Sequence, residues 1–132
     1  MKYYIIAGEA SGDLHGSNLI KELAKKDNAA TIRCWGGDLM QQAGGDLVKH
    51  YRELAFMGFT EVIMNLRTIF KNLKFCKEDI LSYKPDAIVL IDYPGFNLRI
   101  AEWAKQHGFK IIYYIYTKVF LIISLYSIYL TM

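Results

Sequence analysis

The sequence predicts a doubly wound α/β fold with a mostly parallel sheet, because three patterns occur together in its 132 residues. Apolar runs of strand length alternate with helical stretches, which is typical of parallel sheets. The run from Asp86 to Asp92 is continuously apolar between its two acids, as in a strand covered on both faces. A turn of small residues, from Gly8 to Gly12, joins the first apolar run to the first helix. We therefore expect a ligand at the carboxyl ends of the strands.

In the first part of the chain we predict three strands and two helices. The strands are residues 3–7, 31–35 and, briefly, 47–48, and the helices run from Leu14 to about Lys26 and over 38–43. Ser11 is predicted to be the N-cap of the first helix, and Asp13 to suit its positive end. The side chains predicted to face inward from this helix are Leu14, Leu19, Ile20 and Leu23.

In the second part of the chain a long helix, a buried strand, a shorter helix and a final strand follow in order. The long helix is predicted from about residue 58 to 83 and the strand over 86–92. Residues 93–95 are predicted to form a rigid turn, with a helix over 98–107 that stops at Gly108. The last predicted strand covers 110–115.

Composition excludes several classes of protein. Hydrophobic residues make up 53% and charged residues 22%, so the chain is neither disordered nor highly charged, and a net charge of +3 gives no case for nucleic-acid binding. Cys34 and Cys76 are far apart and are expected to be buried or idle thiols. His50 and His107 have no partners at ligand spacing, so we predict no metal site and no cofactor. The start carries no cleavable signal pattern, which favours the cytoplasm.

The chemistry of the first turn favours hydroxyl groups over phosphates. It lacks the Gly-Lys-Ser/Thr of a P-loop and the glycine spacing of a dinucleotide fingerprint. Glu9 and Asp13 would repel a phosphate, whereas carboxylates hydrogen-bond well to sugar hydroxyls. The alternative is a capped strand-to-helix turn without a ligand. His15, just inside the helix, is predicted to be structural or exposed rather than catalytic.

Asp92 is the sharpest catalytic candidate. It ends a buried strand, where ligands of open α/β sheets bind, and a carboxylate there suits a general base that takes a proton from a hydroxyl. Its alternative role is to cap a helix or turn. Asn97 either hydrogen-bonds a ligand or caps the helix predicted at Leu98.

Four stretches together resemble the lipid-A-disaccharide synthase family, over residues 3 to about 115 and only the front portion of such an enzyme. In order, they are Ala7–Asp13, Gly36–Met40 with Gly44, Glu53–Val62 and Ile91–Asn97. The resemblance implies the N-terminal, Rossmann-like half of a two-domain glycosyltransferase of the GT-B type. The family transfers 2,3-diacylglucosamine from its UDP donor to 2,3-diacylglucosamine 1-phosphate (lipid X), in lipid A biosynthesis.

The resemblance also implies roles for individual residues. Asp92 falls on the family's proposed catalytic aspartate and would deprotonate the attacking hydroxyl for an inverting displacement. The residues implied to position the acceptor sugar are Gly8, Glu9, Ser11, Gly12, Asp13 and Asn97. No cofactor is implied, and the oligomeric state stays open. Most contacts to UDP would come from a C-terminal domain, so we expect no substantial transferase activity from these 132 residues.

The long helix is amphipathic and basic. Its apolar stripe includes Ile69, Phe70 and Leu73, whereas Arg67, Lys71, Lys74 and Lys77 lie on another face. From the pattern alone, a core-facing helix with a solvated basic face explains this arrangement. For a family with lipid substrates, the start of the helix becomes a lipid-facing entrance on the cytoplasmic face of the inner membrane. The residues assigned to this entrance are Met57, Phe59, Val62, Ile63 and Leu66.

The end of the chain changes character, so we divide it into a domain of residues 1–116 and an apolar tail of 117–132. Lys118 is the only charged residue after Lys110. The tail is interpreted as the product of a shifted or prematurely ended reading frame, as a membrane anchor, or as an ordinary terminal strand and helix. Two other functions stay open: a flavodoxin-like domain that binds a small ligand, and a membrane-tethered fragment without enzymatic activity.

Overall fold

The computed structural model describes residues 1–54, 66–115, 118–123 and 126–128, the last two ranges through their backbone alone. Within these residues seven strands form one sheet. They are β1 (Lys2–Ala7), β2 (Thr31–Gly36), β3 (Asp46–His50), β4 (Ala87–Ile91), β5 (Ile111–Ile115), β6 (Lys118–Ile123) and β7 (Tyr126–Ile128). Their order across the sheet is β3-β2-β1-β4-β5-β6-β7.

The first five strands are parallel, which confirms the predicted doubly wound, mostly parallel fold. β1 pairs with both β2 and β4, and Ala7 lies opposite Ile91 in the ladder. β2 pairs with β3 across a bulge at Cys34 and Trp35, and β4 pairs with β5. β6 and β7 continue the sheet as antiparallel strands. The order of the strands reverses direction between β1 and β4, so the topological switch point lies there.

Four α-helices cover the two faces of the sheet in the described residues, and a short 3-10 helix (Tyr51–Glu53) follows β3. The α-helices are α1 (Ala10–Lys26), α2 (Asp38–Gln42), α3 (Leu66–Tyr83) and α4 (Pro94–Gln106). Ile20 of α1 and Met40 of α2 pack with Ile5 and Val89 on one face. Residues of α3 and α4, such as Cys76 and Ile100, pack on the other face. Both cysteines are buried and free, as predicted.

α1 begins earlier than predicted, and its buried face agrees only in part with the predicted one. Its N-cap is Glu9 rather than Ser11, and the prediction for Ser11 was therefore wrong. Of the side chains predicted to face inward, Ile20 is buried and Leu19 and Leu23 are partly buried against the core, whereas Leu14 is 51% exposed. A Cβ at Gly12 would lie 3.0 Å from the Cβ of Ala7, so the glycine lets the helix approach β1 closely.

α4 begins at Pro94, four residues before the predicted start. Proline is favoured at the first helical position, where its missing N–H is not needed and its φ already suits a helix. The turn therefore consists of Asp92 and Tyr93 instead of residues 93–95. Asn97 lies inside the helix, so the prediction that it caps a helix at Leu98 was wrong.

A polar network joins the last half of α3 to β1 and β2. The guanidinium of Arg33 donates two hydrogen bonds to Asp79, at 2.7 and 2.8 Å, and a third to Asp46 at 2.9 Å. Tyr4 donates its hydroxyl to Asp79 at 2.7 Å and accepts the indole N–H of Trp35 at 2.8 Å. Burial opposes ionisation of Asp79, but the hydrogen bonds from Arg33 and Tyr4 hold the pKa of that carboxyl below its ordinary value.

Candidate functional site

The carboxyl ends of β1 and β4 meet at the switch point of the sheet. Ala7 and Ile91 are partners in the ladder, so Gly8 and Asp92 are the next residues on neighbouring strands. The chain leaves β1 toward one edge of the sheet and leaves β4 toward the other, which opens a crevice between the two loops. The first turn and the catalytic candidate of the sequence analysis therefore lie side by side.

Asp92 and the residue after it have an unusual backbone. Their φ angles are 44° and 50°, so two consecutive non-glycine residues are left-handed. Each such residue costs of the order of 1–3 kcal/mol and persists where the surroundings fix it. The N–H of Asp92 donates to the carbonyl of Tyr114 at 2.9 Å. Its own carbonyl accepts the hydroxyl of Tyr113 at 2.8 Å and the amide of Asn97 at 2.9 Å.

One oxygen of the Asp92 carboxylate accepts no hydrogen bond from the described residues. This atom is Oδ2, and it is buried. Burial, with the nearby negative charge of Asp92, raises the pKa of Tyr113 to about 12. A buried carboxylate oxygen without a protein donor can accept a hydrogen bond, and then a proton, from a bound hydroxyl.

Tyr93 connects the two loops. A Cβ at Gly8 would lie 2.5 Å from the Tyr93 ring, so the ring rests directly on the glycine backbone. The Tyr93 hydroxyl reaches the carbonyl of Leu54 at 3.5 Å. Burial and the negative charge of Glu9 raise the pKa of Tyr93. Glu9 is exposed, and its side chain makes no capping hydrogen bond to α1.

Asp13, in contrast, uses its carboxylate in hydrogen bonds within the fold. It is 4% exposed, although it lies in the first turn of α1. Its Oδ1 accepts the N–H groups of Gly37 and Met40, at 2.8 and 3.0 Å, and its Oδ2 accepts that of Leu39 at 3.2 Å. The carboxylate thus caps the start of α2. Gly12 packs against β1 and β4, and Ser11 is half-buried in the first turn of α1.

Asn97 is completely buried beneath the crevice. Besides the carbonyl of Asp92, its amide N–H₂ lies 3.3 Å from the carbonyl of Ile6 and 3.2 Å from that of Ile91. Its Oδ1 has no donor among the described residues. The side chain therefore joins α4 to the ends of β1 and β4 from within the core.

The histidines take part in local contacts. His15 lies 5.8 Å from the ring of Tyr114 and lines a cleft of about 290 Å³ between α1 and β4–β5. His50 lies 3.2 Å from Asp38, and His107 lies 2.9 Å from the carbonyl of Trp103. No group of three or more histidine, cysteine or acidic residues suited to a metal occurs in the described part of the chain.

The start of α3 presents apolar side chains to solvent. Leu66 is 46% and Phe70 is 55% exposed, whereas Leu73, one turn further on, is buried. The two exposed residues line a cleft of about 220 Å³ that reaches Tyr93 and Arg99 on α4. Of the predicted lipid-facing residues, Leu66 is described, and Met57, Phe59, Val62 and Ile63 lie outside the described residues. None of the described helices is both long and apolar enough to span a membrane.

Comparison with known proteins identifies the family. A family model described as lipid-A-disaccharide synthetase matches residues 3–121. The chain belongs to the lipid-A-disaccharide synthase family. The lipid-A-disaccharide synthase of Geobacter metallireducens is 44% identical over 111 residues, which are 84% of this chain and 29% of the relative. The lipid-A-disaccharide synthase of Xanthomonas oryzae pv. oryzae is 40% identical over 114 residues, 86% of this chain and 26% of the relative.

The chain thus spans less than a third of the length of these relatives. Within this family portion, two tyrosines near Asp92 are not among the site residues predicted from the sequence. The sequence places Tyr93 in a turn, and Tyr113 in an apolar strand. This strand carries two adjacent tyrosines, Tyr113 and Tyr114, so the sequence alone does not single out Tyr113, and only its hydrogen bond to the Asp92 carbonyl does.

Proposed function

We propose that residues 1–116 form the acceptor-side domain of a lipid-A-disaccharide synthase. The full enzyme would transfer 2,3-diacylglucosamine from its UDP donor to lipid X and release UDP. The observation that carries this proposal is Asp92, which keeps a buried oxygen without a protein donor at the switch point of the sheet. Family membership supplies the reaction class, and the crevice supplies a place for the acceptor.

The reaction is a single displacement with inversion. The 6-hydroxyl oxygen of the acceptor attacks C1 of the donor sugar as the bond from C1 to the UDP oxygen breaks, and UDP leaves with that electron pair. Asp92 takes the proton of the hydroxyl, so that the new β-1,6 link forms without a cationic oxygen. Glu9, exposed beside Tyr93, would hydrogen-bond the acceptor hydroxyls. UDP would be held by a second domain.

The start of α3 would face the inner membrane on its cytoplasmic side. Leu66 and Phe70 are exposed there, and Arg67 and Lys71 lie exposed on the same turns. Apolar side chains that enter the acyl region, with cations at the headgroups, hold a helix at an anionic bilayer. The acyl chains of the acceptor would then leave the membrane close to the cleft that leads to Tyr93.

The test joins residues 1–115 of this chain to the remaining part of the Geobacter metallireducens relative and measures UDP release with lipid X as acceptor. We expect activity in this hybrid, and a loss of about 10²–10⁴-fold with Asp92→Asn, the range of general-base removal. Asp86→Asn is the matched control. This acid lies at the opposite end of β4, where its carboxylate accepts the N–H of Lys2 at 2.7 Å.

Two results would contradict the proposal: a hybrid without transferase activity, or an Asp92→Asn hybrid as active as the unmodified one. The isolated 132 residues are expected to release no UDP at enzyme-like rates. If they do, the proposed need for a second domain is wrong.

A further inference from the structure

The left-handed backbone of Asp92 is fixed by two side-chain donors that meet at one atom. The carbonyl oxygen of Asp92 accepts the hydroxyl of Tyr113 at 2.8 Å and the side-chain amide of Asn97 at 2.9 Å. The first donor comes from β5 and the second from α4. The two donors approach from different elements, so together they restrict the orientation of this peptide group more than either does alone.

This restriction matters because the backbone of Asp92 has an unfavourable, left-handed conformation. With φ at 44°, the residue lies in a region that L-residues occupy uncommonly. If φ returned to negative values, the Cα–Cβ bond would swing and the carboxylate would leave its position at the switch point. The hydrogen bond from the Asp92 N–H to Tyr114 holds the peptide group before the residue, and the two side-chain donors hold the one after it.

We propose that Asn97 and Tyr113 are positioning residues that aim the carboxylate of Asp92 by fixing its backbone, an inference that rests on the proposed role of Asp92 as general base. Neither residue needs to contact substrate. Asn97 is completely buried, and Tyr113 is 3% exposed. Both act through the carbonyl of Asp92, so their removal changes the rate of the chemical step and leaves acceptor binding nearly unchanged.

The two residues differ in what else they support. The side-chain amide of Asn97 also lies close to the carbonyls of Ile6 and Ile91. Its replacement therefore also affects the packing of α4 against the ends of β1 and β4. Tyr113→Phe removes one hydroxyl and retains the ring that fills the core. It is therefore the decisive variant, and Asn97→Ser is the second. Tyr83→Phe is the matched control, because it also removes one hydroxyl bond, at 3.0 Å to Thr31, beside the amino end of β2.

The first measurement uses the whole 132-residue chain and needs no activity. Hydrogen–deuterium exchange of the Asp92 amide, followed by NMR, reports how often its hydrogen bond to Tyr114 opens, and this bond opens more often when the peptide on the other side of Asp92 is no longer held. We expect exchange about tenfold faster in Tyr113→Phe and unchanged in Tyr83→Phe. Equal exchange of the Asp92 amide in Tyr113→Phe and in the unmodified chain would overturn the inference, whatever the function of the protein.

The second measurement uses the hybrid enzyme. Tyr113→Phe is expected to lower kcat about tenfold per folded molecule, with KM for the acceptor within twofold. In an Asp92→Asn background the same change should have no further effect, because the positioned group is already gone. A merely structural role predicts the opposite, namely an equal loss in both backgrounds. That result, or a rise in KM at unchanged kcat, would refute the positioning role. An inactive unmodified hybrid would count against the proposed function, and amide exchange would still decide the geometry.

Discussion

The aromatic ring of Tyr93 rests on the backbone of Gly8, so closely that a single added methyl group would lie 2.5 Å from the ring. This contact joins the loop after β1 to the loop after β4, and Glu9, the next residue after Gly8, lies close enough to Tyr93 for its charge to help raise the tyrosine pKa. The glycine of the first turn is therefore explained by the close approach of a side chain from another loop.

Gly8→Ala is expected to destabilise the domain by about 1–3 kcal/mol, the usual range for inserting an atom into a packed site. Tyr93 must move, so the left-handed turn after β4 should be disturbed as well. Urea unfolding measures the loss. Gly95→Ala is the matched control, because a Cβ there meets nothing within 4 Å and alanine suits a helix better than glycine. Equal stability of the two variants would show that the ring can move freely.

Asp13→Ala is expected to lower the free energy of unfolding by about 2–4 kcal/mol, because it leaves the three N–H groups at the start of α2 without their acceptor. Asp13→Asn should have a smaller effect, since one oxygen is retained. Thermal or urea unfolding measures both. Glu22→Ala, an exposed acid on the same helix, is the control and should change stability by less than about 0.5 kcal/mol. If Asp13→Ala is as stable as this control, the capping role is incorrect.

The strand β4 and the helix α1 differ in how well their burial can be predicted from sequence. The strand over 87–91 is predicted correctly, because a continuous apolar run of this length between two acids is typical of a strand buried on both faces. The buried face of α1 is predicted only in part: Ile20 is buried as expected, but Gly12 and Gly16 carry no hydrophobic signal, and Leu14, which does, is exposed. Gly12 lies close to β1 and Gly16 lies close to Met40 of α2, so the distances between packed elements decide where small residues are needed.

In the candidate site, too, some features can be predicted from the sequence and others cannot. The position of Asp92 at a strand end follows from chain order and sheet topology, which local patterns predict well. The left-handed φ of Asp92, and the donors that fix it, depend on contacts with residues five and 21 positions along the chain. No periodicity in the sequence reports such contacts, so the sequence predicts for Asn97 only a capping or a ligand-binding role.

The Arg33–Asp79 pair predicts a pH dependence of stability. The pKa of Asp79 is lowered in the folded state, so its contribution is complete above the unfolded pKa of about 3.9 and is lost as the pH falls through the lower folded pKa. Asp79→Asn should cost about 1.5–3 kcal/mol at pH 7 and should flatten the decline of stability below about pH 4. Unfolding free energies measured between about pH 2 and 7 provide the check.

Glu78→Gln is the control for this experiment. Its carboxylate is largely exposed and lies 4.0 Å from Lys74, so its removal should change stability by less than about 1 kcal/mol. An acid-sensitive decline that is as steep in Asp79→Asn as in the unmodified chain would assign the dependence to other groups.

Both thiols are expected to be unreactive in the folded protein. Burial raises the pKa of Cys34 to about 12 and also raises that of Cys76, so the reactive thiolate is scarce near neutral pH and access is blocked. A thiol reagent such as Ellman's reagent at about pH 8 should label two thiols per chain in denaturant and none within minutes without it. Rapid labelling of the folded chain would show that one of the thiols is accessible.

The start of α3 makes a prediction about membranes. Phe70→Gln combined with Leu66→Gln should weaken binding of the chain to anionic phospholipid vesicles about tenfold or more, because each apolar side chain that enters the bilayer contributes about 1.5–3 kcal/mol. Vesicle sedimentation measures the change. Leu81→Gln is the control, since Leu81 is 44% exposed near the other end of the same helix. If Leu81→Gln weakens vesicle binding as much as the double variant does, binding does not depend on the start of α3.

α3 thus has two halves with different freedom to vary. Its last half is fixed by the Asp79–Arg33 pair and by buried residues such as Cys76 and Ile80, and substitutions there disturb the sheet directly. Its first turns contribute less to the core. Under the proposed function, relatives could change the residues at the start of the helix to suit membranes of different lipid composition, while the last half keeps its packing on the sheet unchanged. Sequence drift along a single helix would then record the history of the lipid environment more clearly than drift elsewhere in the domain.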